Sequence, residues 1–317
     1  MLTEMIIDRF QELGLSPEAI ALARGMLLGD KSVIDPEVIR NFRMSGMSHL
    51  LAVSGLHVGV IMTLVWAVLR PIESLFYLIL PPHMSVYYIA GTVKRLLLIL
   101  ITCLYVWVIG APVSAVRAAL MLCLCQVGWI LHRPTSAWNC LLLTALILLA
   151  CDPWYITQVG FQLSFMAVAG ILSFQPWLQE HRLSRWVRLI LLSVSAQWFT
   201  VPLVAYYFHQ TPLLGWLQGI LVVPLIPFFV AFLMLGGLFP EWHALCLPIE
   251  AFYGWITWIS QWVVQLERLL LGGHLYFYPS WLEVLLLEVA LFTILFLLRT
   301  KKRMQDSSQS DSITLRS

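Results

Sequence analysis

A chain of 317 residues in which 60% are hydrophobic and only 11% are charged has too few charges to cover a soluble globule of its size. That excludes a water-soluble enzyme or binding domain and leaves an all-α, polytopic membrane bundle as the fold class. The net charge of +2 is too small to mark a nucleic-acid-binding surface by itself, so any case for a polyanionic partner rests on where single charges sit.

Residues 1–48 read as a short helical N-terminal segment, more polar than the long apolar stretches after it. It opens without a basic stretch, an apolar stretch and a cleavage site in succession, so no signal peptide is expected. Ser16-Pro17-Glu18 caps and starts one helix that stops near Gly29, and Asp35-Pro36-Glu37 starts another that stops near Gly46. About nine apolar stretches of membrane-crossing length come next, near 49–69, 95–110, 113–131, 137–151, 159–175, 187–207, 213–238, 245–270 and 281–298. Residues 71–94, which include Pro81-Pro82, read as an interfacial or re-entrant piece; 213–238, with Pro224 and Pro227, reads as a kinked or broken span.

Basic residues in the connections orient the bundle. Arg70, Lys94, Arg95, Arg133, Arg182, Arg185 and Arg188 fall on one side, joined by Arg299, Lys301, Lys302 and Arg303. That side is assigned to the cytoplasm, which places residues 1–48 outside although they hold five basic residues of their own. Residues 299–317 form a basic and then serine-rich cytoplasmic tail with the composition of a disordered segment. The six cysteines lie in or beside apolar segments without the spacing of a metal site, and read as small packing residues. No metal and no cofactor is expected.

Polar groups at membrane depth need a reason, because an unpaired hydroxyl or imidazole in hydrocarbon costs several kcal/mol. The run from His49 to His57 puts two histidines, Ser54 and Gly55 where lipid favours leucine. On a regular helix Ser54 and His57 share a face, while Gly55 and Gly59 stand four apart and admit another backbone. Arg117 comes after Gly110, Pro112 and Ser114 in what reads as the first turn of a span, where the helix dipole disfavours a cation. Interfacial snorkelling or an ion pair with an acid such as Asp152 would settle it structurally; the functional alternative is a phosphate crossing the membrane. Asp152-Pro153 reads as a helix cap. Gln158 and Gln162 then repeat at four, as do Gly160 and Ser164, so that one pair can line a pore while the other seats a neighbouring helix. Ser193, Gln197 and Thr200 give a later span a polar stripe, and Glu288 stands in the middle of the last one.

Three of these stretches occur in the order found in one family. HLLAVSGLHVG from His49 to Gly59, GAPVSAVRAA from Gly110 to Ala119, and Asp152-Pro153 followed by Gly160-Phe161-Gln162-Leu163-Ser164-Phe165 resemble the competence domain of ComEC-type DNA-uptake channels. A fourth stretch, Phe208 to Pro212 leading to Pro224, is similar, but Gly219, with Gln218 beside it, stands where the family commonly has asparagine. The resemblance implies a multi-pass channel of the cytoplasmic (inner) membrane that passes single-stranded DNA during natural transformation. The implied partners are a DNA receptor, a cytoplasmic ATPase, the lipid bilayer and further copies of the chain. Candidates for the DNA path are Ser54, His57, Ser114, Arg117, Gln158, Gln162 and Ser164. His49, Gly55, Gly59, Gly110, Pro112, Asp152 and Gly160 are expected to shape the motifs. Longer members add an OB-like and a metallo-β-lactamase-like domain; with no HxHxDH motif and no barrel-length preamble, the membrane core alone is expected, over 49–298, without nuclease activity. No GxxxxGK[ST] loop is seen, which leaves any motor to another protein. The rival readings are a small-solute or ion transporter using Glu288 and His57, and a membrane enzyme using Ser54 and His57. No internal repeat favours the first, and no acid is placed to orient the histidine in the second.

Overall fold

The computed structural model describes residues 2–51, 55–79, 84–133, 135–181, 183–209, 214–271, 279–291 and 293. All regular elements among them are helical, and they fall into two units, one drawn from 1–161 and 212–273, the other from 162–211 and 274–317.

The first unit begins with three helices, α1 (Leu2–Leu13), α2 (Pro17–Leu28) and α3 (Pro36–Met44). Both predicted starts are where the caps put them. The Ser16 hydroxyl accepts from the Ala19 N–H and the Asp35 carboxylate from the Glu37 N–H, and α2 ends at Gly29 in the left-handed region (φ 75°). Between the two, Asp30 accepts from the Ser32 hydroxyl and N–H and pairs with Arg24, contacts that hold its carboxyl below the ordinary range.

Helix α1 has no such cap and was not expected. Its Phe10 and Leu13 are fully buried against α11 (Ile226–Leu238), where two adjacent glycines make room: a Cβ on Gly236 would lie 2.8 Å from Leu13, and one on Gly237 would meet the Phe10 ring at 3.7 Å. The N-terminal segment is therefore not a separate polar preamble. Its apolar faces share one core with α11 and with α12 (Cys246–Leu271), through Val230, Leu233, Ile249, Ile256 and Val263. Glu250, near the start of α12, ties the two together by accepting from the Ser16 N–H at 2.6 Å and from its hydroxyl at 3.0 Å.

The rest of this unit is a run of long apolar helices: α4 (Gly55–Ile79), α5 (Met84–Val108), α6 (Val113–Ile130) and α7 (Ala137–Cys151). Each packs on the next, and α4 also meets α6 and α11. The structure corrects the reading of residues 71–94. Pro71 lies inside α4, and α5 begins at Met84, so the described residues of this stretch belong to two long helices rather than to a re-entrant piece; Pro81-Pro82 lies outside the described residues. A proline removes one ladder bond, and packing of α4 on α5, including the Lys94–Glu73 ion pair, holds the helix on course. The predicted broken span is broken: α10 (Gly215–Leu221) gives way to a 3-10 turn over Val223–Leu225 before α11 starts at Ile226.

The second unit takes α8 (Val159–Glu180) from Gln162 onward, α9 (Arg185–Phe208) and a helix over 281–291, α13. A Cβ on Gly170 would sit 2.8 Å from the Ser195 carbonyl and 2.9 Å from the Phe199 ring, so α8 and α9 touch backbone to side chain there. Tyr206 meets Trp281 edge-on at 5.4 Å.

Six helices among the described residues are long and apolar enough to cross a bilayer: Gly55–Leu75, Tyr88–Val108, Val113–Ile130, Val159–Glu180, Arg185–Phe208 and Leu217–Leu238. The predicted span at 137–151 is a shorter apolar helix, Ala137–Cys151, and that at 281–298 is described only in part. The chain is a polytopic helical membrane protein.

A buried polar hub joins α3, α10 and α12. With its amide turned to match its neighbours, Gln218 donates to the Ser45 carbonyl at 2.8 Å and hydroxyl at 3.0 Å, and its oxygen faces the Ser260 hydroxyl at 3.2 Å. Ser45 donates onward to the Asn41 carbonyl at 2.6 Å, and Gln218 and Ser45 have no exposed surface. Replacing Gln218 with leucine keeps the bulk but strands these groups, a loss of about 1–2 kcal/mol. Gln218→Leu should lower the thermal unfolding midpoint of the purified protein in detergent, while Gln265→Leu on the exposed side of α12 should leave it unchanged.

Candidate functional site

The stretch Gly110–Ala119 builds a turn and the start of a helix. Gly110 (φ 79°) and Ala111 (φ 52°) both adopt the left-handed conformation, and the Ala111 N–H bonds back to the Val106 carbonyl at 2.9 Å, which stops α5. Pro112, extended, then serves as the N-cap residue of α6, and its carbonyl accepts from the Val116 N–H at 3.0 Å. The tight turn folds α6 back along α5 and α4. Arg117 comes out as the fifth residue of α6, just past the first turn where it was predicted.

At that position Arg117 is buried, with 6% of its surface exposed, on a helix whose Ala115, Ala118 and Ala119 are buried too. Gly55, at the start of α4, makes the space. A Cβ there would lie 3.1 Å from Arg117 Nη2 and 3.1 Å from the Ala118 Cβ, so the glycine lets the α4 backbone lean on the guanidinium. Arg117 Nη1 also points to the Met121 sulfur at 3.9 Å, one turn further along α6. Ser114 is half-buried, one turn before Arg117. His57 is fully buried, flanked by Leu56, which packs on the core of the N-terminal helices, and Val58, which packs with the alanines of α6. The Tyr105 hydroxyl reaches from α5 to the Leu27 carbonyl of α2 at 3.4 Å, holding this end of the bundle to the N-terminal helices.

Other expectations part company here. Gly59 has nothing within 4 Å of its Cβ position, so Gly55 and Gly59 do not form one packing pair. Asp152 caps a 3-10 turn by accepting from the Trp154 N–H at 3.0 Å, and that cap is its role in place of an ion pair to Arg117. Gln158 is exposed and precedes α8, so it shares no helical face with Gln162, and Gly160 stands in open space. In the second unit Gln162 accepts from the Tyr207 hydroxyl at 2.8 Å, a bond that seats α8 on α9, and Ser164 is half-buried. Ser54 lies outside the described residues, as does the side chain of His49. The structure thus brings Gly55 and Arg117 onto one α4–α6 seam, with Ser114 one turn before Arg117 on α6 and His57 on the same helix as Gly55.

Sequence reasoning missed two polar features. One is the hub at Gln218, whose signal was a single amide in the apolar run from Leu213 to Leu225. The other is Glu267, fully buried on α12 two turns beyond Ser260.

Residues 26–302 match the family described as Competence protein. The chain is 27% identical over 298 residues to ComE operon protein 3 of Bacillus subtilis, covering 91% of this chain and 35% of that protein. It is 25% identical over 240 residues to Recombination protein 2 of Haemophilus influenzae, covering 72% and 29%. A third relative, Uncharacterized protein YcaI of Escherichia coli, is 25% identical over 227 residues, covering 69% and 29%. The chain therefore spans about a third of the length of these relatives. No solved structure matches it significantly.

The two glycines of α4 separate by their surroundings. Gly55→Leu must push α4 off Arg117 and Ala118, an overpacking loss of about 1–3 kcal/mol, whereas Gly59→Leu meets open space. Thermal unfolding in detergent should show a clear drop for the first and little change for the second.

Proposed function

The chain belongs to the competence protein family, and from that premise we propose that it forms, alone or as an oligomer, a conduit for single-stranded DNA across the cytoplasmic membrane. Family membership supports this reading, and the observation that carries it to a site is the buried cation on the α4–α6 seam. A single strand needs positive potential somewhere along an apolar channel, held weakly enough to let phosphates go. With 6% of its surface exposed, Arg117 acts by its field rather than by direct contact. At an effective dielectric of about 20, a charge about 10 Å from a phosphate is worth roughly 1.7 kcal/mol, or about an order of magnitude in passage rate. Ser114, His57 and the helix N-terminus of α6 add dipoles to the proposed path.

The same reading places the basic end of the bundle, with Arg70, Lys94, Arg95 and Arg133, on the cytoplasmic face, residues 1–48 outside and 299–317 inside. DNA is handed over by an outer receptor and drawn in by a cytoplasmic ATPase. The chain itself acts as a channel, not a catalyst.

A second reading, coupled transport of a small cation, is favoured by Glu288, which is 9% exposed on α13 with both carboxylate oxygens buried and no hydrogen-bond partner among the described residues. Transformation frequency in a deletion strain separates the two. Complementation with wild type should restore transformation, Arg117→Gln should restore about a tenth or less at equal protein abundance, and Arg117→Lys should recover most of it. Unchanged transformation after deletion contradicts the DNA reading; equal loss for lysine and glutamine reduces Arg117 to a packing residue.

A further inference from the structure

The far end of α6 holds a second feature. Along the last turns of α6 and the first turns of α7 runs an open-sided crevice of about 250 Å³, with Leu124, Val127 and Leu143 on its walls and Arg133, Thr135 and Asn139 at the end where the two helices join. It is built into the turn. The Arg133 N–H bonds to the Gly128 carbonyl at 2.8 Å, and a Cβ on Gly128 would meet the Arg133 carbonyl at 2.9 Å, so the chain doubles back closely and leaves the Arg133 side chain outward.

The charge at this end is unbalanced. Glu73 is taken by Lys94, while neither Arg133 nor Arg95 has a carboxylate within ion-pair distance among the described residues. Arg95 lies over the Trp129 ring at 5.4 Å, one residue from the crevice, and its Nε is buried without a hydrogen-bond partner. His132 stacks on Tyr88 at 5.2 Å. At the mouth of this apolar trough a phosphate would meet the exposed Arg133 side chain, with exposed Asn139 beside it and the Thr135 hydroxyl, which also contacts the Cys140 sulfur at 3.1 Å.

A molecule with an anionic phosphate and a hydrocarbon chain fits both halves. We infer that this crevice is a binding site for an anionic phospholipid, its phosphate held by Arg133, Thr135 and Asn139 and one acyl chain lying between Leu124, Val127 and Leu143. The trough opens sideways on helices whose Leu142 and Leu143 are 58% and 45% exposed, where the bilayer itself supplies the ligand. A nucleic-acid strand fits less well. It has nothing to fill the trough, and the rings that could stack its bases are engaged, Trp129 by Arg95 and Tyr88 by His132. The site is independent of what passes through the bundle.

Native mass spectrometry of the full chain in neutral detergent, with phosphatidylglycerol and phosphatidylcholine of matched acyl chains, tests it. Wild type should retain phosphatidylglycerol in preference. Arg133→Gln should cut that preference about fivefold, the fold-change that one basic residue near an anionic surface confers. Leu143→Trp, which fills the trough, should lower retention of both lipids, and Arg268→Gln, an exposed cation on α12, should change neither. The proposal is overturned by equal retention of the two lipids on wild type or by a preference that survives Arg133→Gln. Displacement of the lipid by inorganic phosphate alone, or by a single-stranded oligonucleotide in an Arg133-dependent way, overturns it too, by identifying an anion site or a nucleic-acid site instead.

Discussion

The contact between the Gly55 backbone and the Arg117 guanidinium sets the terms for the rest of the bundle. A full positive charge inside a membrane domain is costly, and the chain accommodates it where α4 carries Gly55, whose missing side chain leaves room for the guanidinium and for Ala118 of α6. Small residues draw the helices together. The left-handed turn at Gly110 and Ala111 then becomes necessary, because α6 must reverse sharply to run beside α4 as well as α5. His57 and Tyr105 add polar contacts to the same end, where the N-terminal helices close over the bundle.

How much of this could be read in advance depends on the range of the interaction. Helix caps act over two or three residues, so Ser16, Asp35 and Gly29 announced α2 and α3, and Pro224 and Pro227 announced the break before α11. Other features are set at long range. Helix α1 carries no cap and is held by Phe10 and Leu13 fitting glycines more than two hundred residues away, which no local pattern reveals. Residues 71–94 read as an interfacial or re-entrant piece, and Pro71 lies inside α4, which packs on α5. Gly55 and Gly59 are equivalent as letters and differ only in what lies opposite them. Gln158 and Gln162 matched in spacing, but the helix begins between them. Spacing proposed the pairs, and tertiary contacts decided which member of each pair packs against a neighbour.

The two ends of α6 divide the chemistry. Twelve residues separate Arg117 from Trp129, roughly 18 Å of helix, so the buried cation and the basic, aromatic end belong to different levels of the membrane. Between them α5 presents Leu100, Leu104 and Trp107, 62%, 54% and 75% exposed, a stripe suited to hydrocarbon. In the proposed reading, the interior path runs along Ser114 and Arg117 on α6 rather than along that stripe.

That assignment can be tested by position. With a photo-reactive residue at 114 on α6, and separately at 104 on the exposed face of α5, transforming DNA is taken up under illumination and the captured strand is measured. An interior path along α6 predicts capture of single-stranded DNA from position 114 and none from 104. Uptake at the wild-type rate with no strand captured at 114 would contradict it.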